Sequence, residues 1–291
     1  MLWAMKTPRM LSGCWVSLVL LAAGIAPAAA ELATLDQTEY LGYFAVFANA
    51  RYQFKVASDG KIALWPIGEK REPVALALSV PIQIAVEELM PDGKIAVKQI
   101  QSASLESVQP PTLKLEKIVI TGKVAGDATF EVDIEQSRGT IFMGGRVTNP
   151  GTLKNTLRFA IYAKMPSLYT RSANAKTMNK KDESALQKKI AGDHVTLKGI
   201  DGKHRKEPFD KRVDASSPEI SGAGLISADV ETAAYVTKGP SKKFQFVAGP
   251  NSMLTLKNEQ GGPLHEGFTI RWEADKAKDP DGKARFAFEV K

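Results

Sequence analysis

Histidines are the side chains best suited to acid–base chemistry near neutral pH, and this chain of 291 residues has three, His194, His204 and His265. His265 is followed by Glu266, which places a base beside a carboxylate. Adjacent residues of a strand point to opposite faces, so we do not expect this pair to share a site. The sequence contains no His-Glu-x-x-His, Gly-x-Ser-x-Gly or Walker-type glycine-rich motif. We therefore assign no catalytic, cofactor-binding or metal-ligating residue.

Aromatic side chains suggest a second kind of chemistry, because pyranose rings pack against exposed aromatic rings. The aromatic candidates for such a site are Trp65, Trp272, Tyr162 and Tyr169. The alternative is core packing, since aromatic residues at strand positions are usually buried. For Trp272 the core reading is favoured, because Phe268, Ile270 and Trp272 alternate and share one face of a predicted strand.

Positive charge is concentrated between residues 171 and 212, which contain twelve Lys and Arg residues against six Asp and Glu. The residues of this segment that we propose as ligand contacts are Lys180, Lys181, Lys188, Lys189, Lys203, His204, Arg205 and Lys206. Such point charges attract acidic polysaccharides or lipopolysaccharide phosphates without a shaped pocket. Interleaved aromatic residues are missing, which argues against binding of nucleic acid. The alternative is a solvated, charged loop.

The first thirty residues have the pattern of a cleavable signal peptide. Lys6 and Arg9 precede an apolar run over residues 15–25, and Ala28-Ala29-Ala30 supplies the small residues that a signal peptidase reads. The apolar run is too short for a permanent transmembrane helix, which needs about 20 residues. The pattern predicts a periplasmic or secreted bacterial protein that begins at Glu31.

Removal of these thirty residues would also remove Cys14, the only cysteine of the chain. The mature protein would then have no disulfide and no thiolate metal site. Its stability must come from a hydrophobic core, for which the chain is long enough.

The elements that would position these side chains are predicted to be short antiparallel strands. Four Asp-Gly-Lys sequences, beginning at Asp59, Asp92, Asp201 and Asp281, predict tight hairpin turns. Alternating apolar and polar residues flank the first two, and similar runs recur to the C-terminus. Gly144-Gly145 lies inside one such run, which indicates a bulge or a close backbone approach.

Two segments leave alternatives open. Residues 40–50 are nearly all apolar, which favours a buried strand over a short helix because aromatic residues dominate. Residues 182–191 have an acidic start and apolar residues four apart, so we expect one or two helical turns there.

The predicted fold class is all-β, with an antiparallel sandwich architecture. Residues 169–191 are interpreted as a basic linker or long loop between a β-rich domain at 31–168 and another at 192–291. Either two sandwiches lie in tandem, or one large sandwich carries a long basic loop.

In length and strand content the chain resembles carbohydrate-handling β-sandwich proteins, including the large sandwich of aldose epimerases and some polysaccharide lyases. None of their catalytic residues can be matched in this sequence. The leading hypothesis is therefore an exported, non-enzymatic protein that binds a glycan or an anionic envelope component. The alternatives are a carbohydrate-active enzyme of mutarotase or lyase type and a structural subunit of an envelope assembly.

Overall fold

The computed structural model describes residues 31–169, 184–185, 187–188, 190–212, 224–235, 241–258 and 261–291. The predicted signal peptide and most of the predicted linker, including Lys180, Lys181 and Lys189, lie outside these residues. The regular secondary structure of the described residues is almost entirely antiparallel β-strand, which confirms the all-β prediction. Within the described residues, no helix is long and apolar enough to cross a membrane.

The first of two packed sheets is built around a strand from the middle of the chain. In spatial order its strands are β1 (Tyr43–Ala48), β2 (Tyr52–Ala57), β3 (Ile62–Pro66), β4 (Val80–Leu89), β10 (Thr156–Met165), β16 (Phe268–Ala274) and β15 (Ser252–Lys257). The short strand β5 (Ile95–Lys98) pairs with the second half of β4, beyond the end of β3. The 3₁₀ turns Thr38–Tyr40, Leu76–Leu78 and Leu264–Glu266 precede β1, β4 and β16.

The second sheet is longer and also combines early and late strands. In spatial order its strands are β6 (Ile100–Ser107), β7 (Lys117–Val124), β8 (Thr129–Ser137), β9 (Thr140–Asn149), β17 (Phe286–Val290), β14 (Lys242–Ala248), β13 (Leu225–Thr232), β11 (His194–Gly199) and β12 (His204–Pro208). A single pair, Leu225 with Leu254, joins β13 to β15 and connects the two sheets.

The hydrophobic core lies between the two sheets, and most of the strands contribute alternate residues to it. Phe54 of β2 packs against Phe288 of β17, with ring centroids 5.8 Å apart. Trp272 of β16 stacks on Phe286 at 6.4 Å. The buried side chains of both sheets form one continuous cluster. Burial of this apolar surface is the main stabilising term, as expected for a chain without disulfides.

Strands from both sides of the predicted linker pair with each other. β16 pairs with β10 over six residues in the first sheet, and β17 pairs with β9 in the second. The strand pairing is therefore that of one large sandwich. Whether residues 31–168 and 192–291 unfold as separate domains stays a prediction.

Three of the four Asp-Gly-Lys sequences form the predicted hairpin turns. Gly60, Gly93 and Gly202 have φ of 82°, 81° and 77°, a region in which glycine has no steric penalty. The fourth prediction is wrong in one respect. Gly282 also has a positive φ, 68°, but the strands before and after it, β16 and β17, belong to different sheets. This turn therefore crosses between sheets and does not close a hairpin.

The two ambiguous segments follow the favoured predictions. Residues 43–48 form strand β1, of which Phe44, Ala45 and Val46 are buried. The described positions between 184 and 190 are helical, and the amide of Ala191 donates to the carbonyl of Gln187.

Gly144 and Gly145 lie where other backbone or rings come very close. A Cβ on Gly144 would lie 2.4 Å from the carbonyl oxygen of Ala284, and one on Gly145 would lie 2.4 Å from the Phe159 ring. The interpretation as a close approach is confirmed.

Candidate functional site

The first sheet has an outer face, opposite the core, that carries its polar and aromatic side chains. Alternation along β4 sends Val80, Ile82 and Val86 into the core and Gln83 and Glu87 to the outer face. On this face we define two neighbouring regions. The cavity region lies over β3, β4 and β5, and the ion-pair region lies over β4, β10 and β16.

The cavity region contains an open cavity of about 720 Å³ with a mostly apolar wall. Trp65 of β3 and Tyr43 of β1 line it as half-buried aromatic side chains, with ring centroids 6.3 Å apart and edge to face. Leu76 and Val97 form exposed apolar parts of its rim. Its size and composition are those of a small-ligand site.

A break in the strand pairing creates this cavity. β4 is paired with β3 at residues 80–82 and with β5 at residues 86–89. Among the described residues, no strand pairs with Gln83, Ile84 and Ala85 along that edge. The Asp59–Lys61 turn and residues 97–102 border the gap. Polar groups are thus available beside the apolar wall, including the exposed amide of Gln83.

Lys55 of β2 occupies an unusual position next to this cavity. Its ammonium nitrogen lies 5.0 Å from the Trp65 ring centroid, 5.1 Å from that of Tyr43 and 5.4 Å from that of Tyr40. Contacts of this length allow cation–π attraction. Burial lowers the pKa of the Lys55 ammonium below its ordinary value, although the negative charge of Glu39 opposes the shift.

The ion-pair region is a closed network of charged and hydroxyl groups. Arg271 of β16 donates from Nε to Glu87 Oε1 at 2.9 Å and from Nη2 to Glu87 Oε2 at 2.5 Å. The same Nη2 donates to Glu273 at 2.8 Å, and Arg158 reaches Glu273 at 3.3 Å. The Tyr162 hydroxyl donates to Glu87 as well. The side chains of Glu87 and Arg271 are only 1% and 4% exposed.

The electrostatics of this network keep Glu87 ionised. Burial alone would raise the pKa of its carboxyl, but the hydrogen bonds and charge of Arg271, together with the Tyr162 hydroxyl, lower it below the ordinary value. Burial and the neighbouring Glu87 raise the pKa of the Tyr162 hydroxyl. A carboxylate with both oxygens engaged and a lowered pKa is a weak proton acceptor at neutral pH.

The two predicted tryptophan candidates have opposite environments. Trp65 lines the cavity, as a ligand-contacting residue would. Trp272 is completely buried between the sheets, so its ring is inaccessible to a sugar, and the core alternative is the correct one. Of the tyrosines, Tyr162 belongs to the ion-pair region, and Tyr169 donates a 2.5 Å hydrogen bond to Asp193.

The basic candidates that the structure describes lie far from the cavity in the strand order. Lys203 is in the β11–β12 turn, and His204, Arg205 and Lys206 are exposed residues of β12, the edge strand of the second sheet. Lys188 is exposed in the helical turns. Charged residues on an edge strand also prevent pairing with a second sheet, which gives these residues a structural role as well.

His265 does not form a site with Glu266. It lies in the 3₁₀ turn before β16 and is buried, with Nδ1 3.1 Å from the carbonyl oxygen of Phe209. In the described part of the chain, no group of three His, Cys, Asp or Glu residues could hold a metal ion.

Sequence reasoning missed the ion-pair region because its members are far apart in the chain. Tyr162 and Glu87 are separated by 75 residues, and Arg271 and Glu87 by 184. A local signal did exist. Arg271 lies between Ile270 and Trp272 in a strand that is otherwise buried, and Glu87 follows a run of apolar residues. Such buried charges require partners, although the sequence does not say which.

Among known proteins, the chain is similar in fold to a solved structure. No protein-family model matches the chain, and no curated protein matches it. Among solved structures, it is similar to the alpha-N-acetylgalactosaminidase NagBb from Bifidobacterium bifidum, determined as a GalNAc complex, with a TM-score of 0.51 and 10% sequence identity. The match shows a shared fold. It covers 84% of this chain and 35% of the enzyme, so the chain spans about a third of that protein's length.

Proposed function

We propose that this protein is exported and binds a glycan, without turning it over, in the cavity formed by β3, β4 and β5. The observation that carries the proposal is the open cavity of about 720 Å³ with Trp65 and Tyr43 in its wall. A sugar ring presents an apolar face that packs against such aromatic side chains, while its hydroxyls bond to polar groups at the border.

The polar border of the cavity suits a sugar. Gln83 and Gln99 are exposed and line the cavity, and Ser102 lies beside them. Amide side chains both donate and accept hydrogen bonds, as sugar hydroxyls do. The similarity in fold to an alpha-N-acetylgalactosaminidase that was determined as a GalNAc complex supports a carbohydrate ligand by analogy.

The ionised carboxylate of Glu87, on the same outer face, favours binding without turnover over the enzyme hypothesis. Glu87 is the carboxylate that the outer face buries most deeply, and it is held ionised by Arg271. Glycan chemistry by acid–base catalysis requires a group that exchanges protons near the working pH. Glu87 is therefore better suited to fixing the three strands than to catalysis.

A screen of immobilised glycans with wild-type protein and the Trp65→Ala variant tests the proposal. Wild type should retain a defined set of glycans, and Trp65→Ala should lose them because the main apolar contact is removed. Val108→Ala, at an exposed apolar position just after β6 in the other sheet, serves as the control and should keep the wild-type pattern. Turnover of a retained glycan would support the carbohydrate-active enzyme instead. Identical patterns for wild type and Trp65→Ala would remove the cavity as the binding site.

A further inference from the structure

Lys55 differs from the other lysines around the cavity in how its charge is compensated. Lys61 pairs with Asp59 at 2.5 Å, and Lys98 pairs with Glu88. Among the described residues, no carboxylate lies within ion-pair distance of Lys55, and its charge is met by three aromatic rings instead. The negative charge of Glu39 acts on the ammonium only from beyond ion-pair distance, so this half-buried cation has lost part of its hydration without gaining a direct ion pair.

The position of Lys55 connects this unpaired charge to the cavity. Lys55 and Trp65 lie on adjacent strands, where β2 residue Lys55 is opposite Ala63 of β3, and Ala63 is itself a lining residue. Two of the three rings around the ammonium, those of Trp65 and Tyr43, are also part of the cavity wall. A sugar packed against these rings therefore brings its substituents close to the ammonium.

We propose that Lys55 is the anion-binding group of this site, and that the ligand is a glycan whose bound pyranose carries an anionic substituent. This inference rests on the proposed function and specifies its substrate class. The three rings hold the ammonium in place and keep part of its surface from water, and both effects strengthen its attraction to a negatively charged group. Either a carboxylate, as in a hexuronic acid, or a sulfate ester supplies that group.

Titration calorimetry on the full chain at low salt tests whether the ligand is anionic and whether its substituent is a carboxylate or a sulfate ester. The ligands are an oligomer of galacturonic acid, an oligomer of galactose with the same linkage and a sulfated galactose oligomer. We expect an anionic oligomer to bind more tightly than the neutral one, and the better of the two anionic oligomers identifies the substituent. Lys55→Met should weaken anionic binding about fivefold or more and leave neutral binding unchanged, since charge-assisted hydrogen bonds are lost only in the first case.

Two further variants control for charge and for folding. Lys55→Arg keeps a cation that also packs on aromatic rings, so it should retain most of the anionic preference. Lys123→Met removes the same charge from an exposed position of β7 in the other sheet, and it should bind like wild type. Melting temperatures of all variants establish that each one is folded.

The outcomes distinguish this inference from the proposed function. If Trp65→Ala abolishes binding while Lys55→Met binds the anionic oligomers as wild type does, the cavity is a glycan site and the role of Lys55 is refuted. Equal affinity of wild type for neutral and anionic oligomers also refutes it. If Trp65→Ala has no effect on binding, the proposed function itself fails.

Discussion

Arg271 and Lys55 are two cations on the same outer face of the first sheet, and their surroundings differ in nearly every respect. Arg271 is almost fully buried and bonded to two carboxylates, Glu87 and Glu273. Lys55 is half-buried and surrounded by three aromatic rings, with no carboxylate at ion-pair distance among the described residues. Arg271 therefore has direct carboxylate partners within the protein, whereas the described residues give Lys55 none.

The two regions of this face differ in whether their bonding groups are already used within the protein. In the ion-pair region the partners come from β4, β10 and β16, so the network ties together strands that are distant in sequence. In the cavity region the strand pairing of β4 is interrupted and apolar groups stay exposed. A surface with unused bonding capacity and exposed apolar area is suited to a ligand.

The largest effect on the free energy of unfolding is expected for Arg271→Met. This variant leaves Glu87 buried without its main counter-charge, which should lower the free energy of unfolding by about 3–5 kcal/mol. Urea denaturation followed by circular dichroism measures the loss. Arg158→Met is the matched control, because Arg158 belongs to the same network but is exposed, and it should cost about 1 kcal/mol or less. Equal losses in the two variants would show that burial does not distinguish them.

A second prediction concerns acid. The pKa of Glu87 is lowered in the folded protein relative to its ordinary value of 4.5, so the folded state binds the proton less readily than the unfolded state does. The stability that Glu87 contributes is therefore fully present above about pH 4.5 and is lost as the pH falls through the folded pKa. Unfolding free energies of wild type and Glu87→Gln should differ by a constant amount from pH 7 to 5 and converge in more acidic solution. A difference that grows towards low pH would contradict this assignment.

Lys55→Met provides the third test of the comparison, with a much smaller expected effect on stability. The described residues give the ammonium no ion pair to lose, and methionine can pack against the same three rings. We expect the free energy of unfolding to change by less than about 1 kcal/mol, in either direction. A loss comparable to that of Arg271→Met would mean that Lys55 is a structural cation like Arg271.

The smallest effect on stability is expected at the basic edge strand. Replacing Lys203, Arg205 and Lys206 together by Ser should change the free energy of unfolding by about 0.5 kcal/mol or less, because these side chains are exposed. Binding of an acidic polysaccharide or lipopolysaccharide, if β12 contributes to it, should weaken in this variant and fall steeply with added salt. Unchanged affinity at low salt would remove the edge strand from the binding surface.

Much of the fold could be predicted because its signals are local. Three Asp-Gly turns and the alternation of Ile82, Ile84 and Val86 with polar neighbours depend on residues close in sequence. The pairing of β10 with β16 and of β9 with β17 could not be predicted, since it joins strands more than a hundred residues apart. The turn at Gly282 shows the consequence, because its sequence is the same as that of the hairpin turns while its strands diverge into two sheets.

The candidate site was only half predictable for the same reason. The alternation around Trp272 favoured the core reading that the structure confirms, but Trp65 could be named as a candidate only from its residue type. The cavity depends on where β3 ends and β5 begins along β4, which is a property of tertiary pairing. The packing of aromatic rings around the Lys55 ammonium likewise requires β1, β2 and β3 to be adjacent.

The most direct test of the glycan site is acrylamide quenching of Trp65 fluorescence with and without ligand. In a Trp272→Phe variant of residues 31–291, Trp65 is the remaining tryptophan, so its emission reports on the cavity alone. We expect a saturating glycan to reduce the quenching constant, because the ligand covers the exposed part of the Trp65 ring. If the quenching constant stays the same when calorimetry shows the glycan to be bound, the ligand occupies another surface and the cavity is not the glycan site.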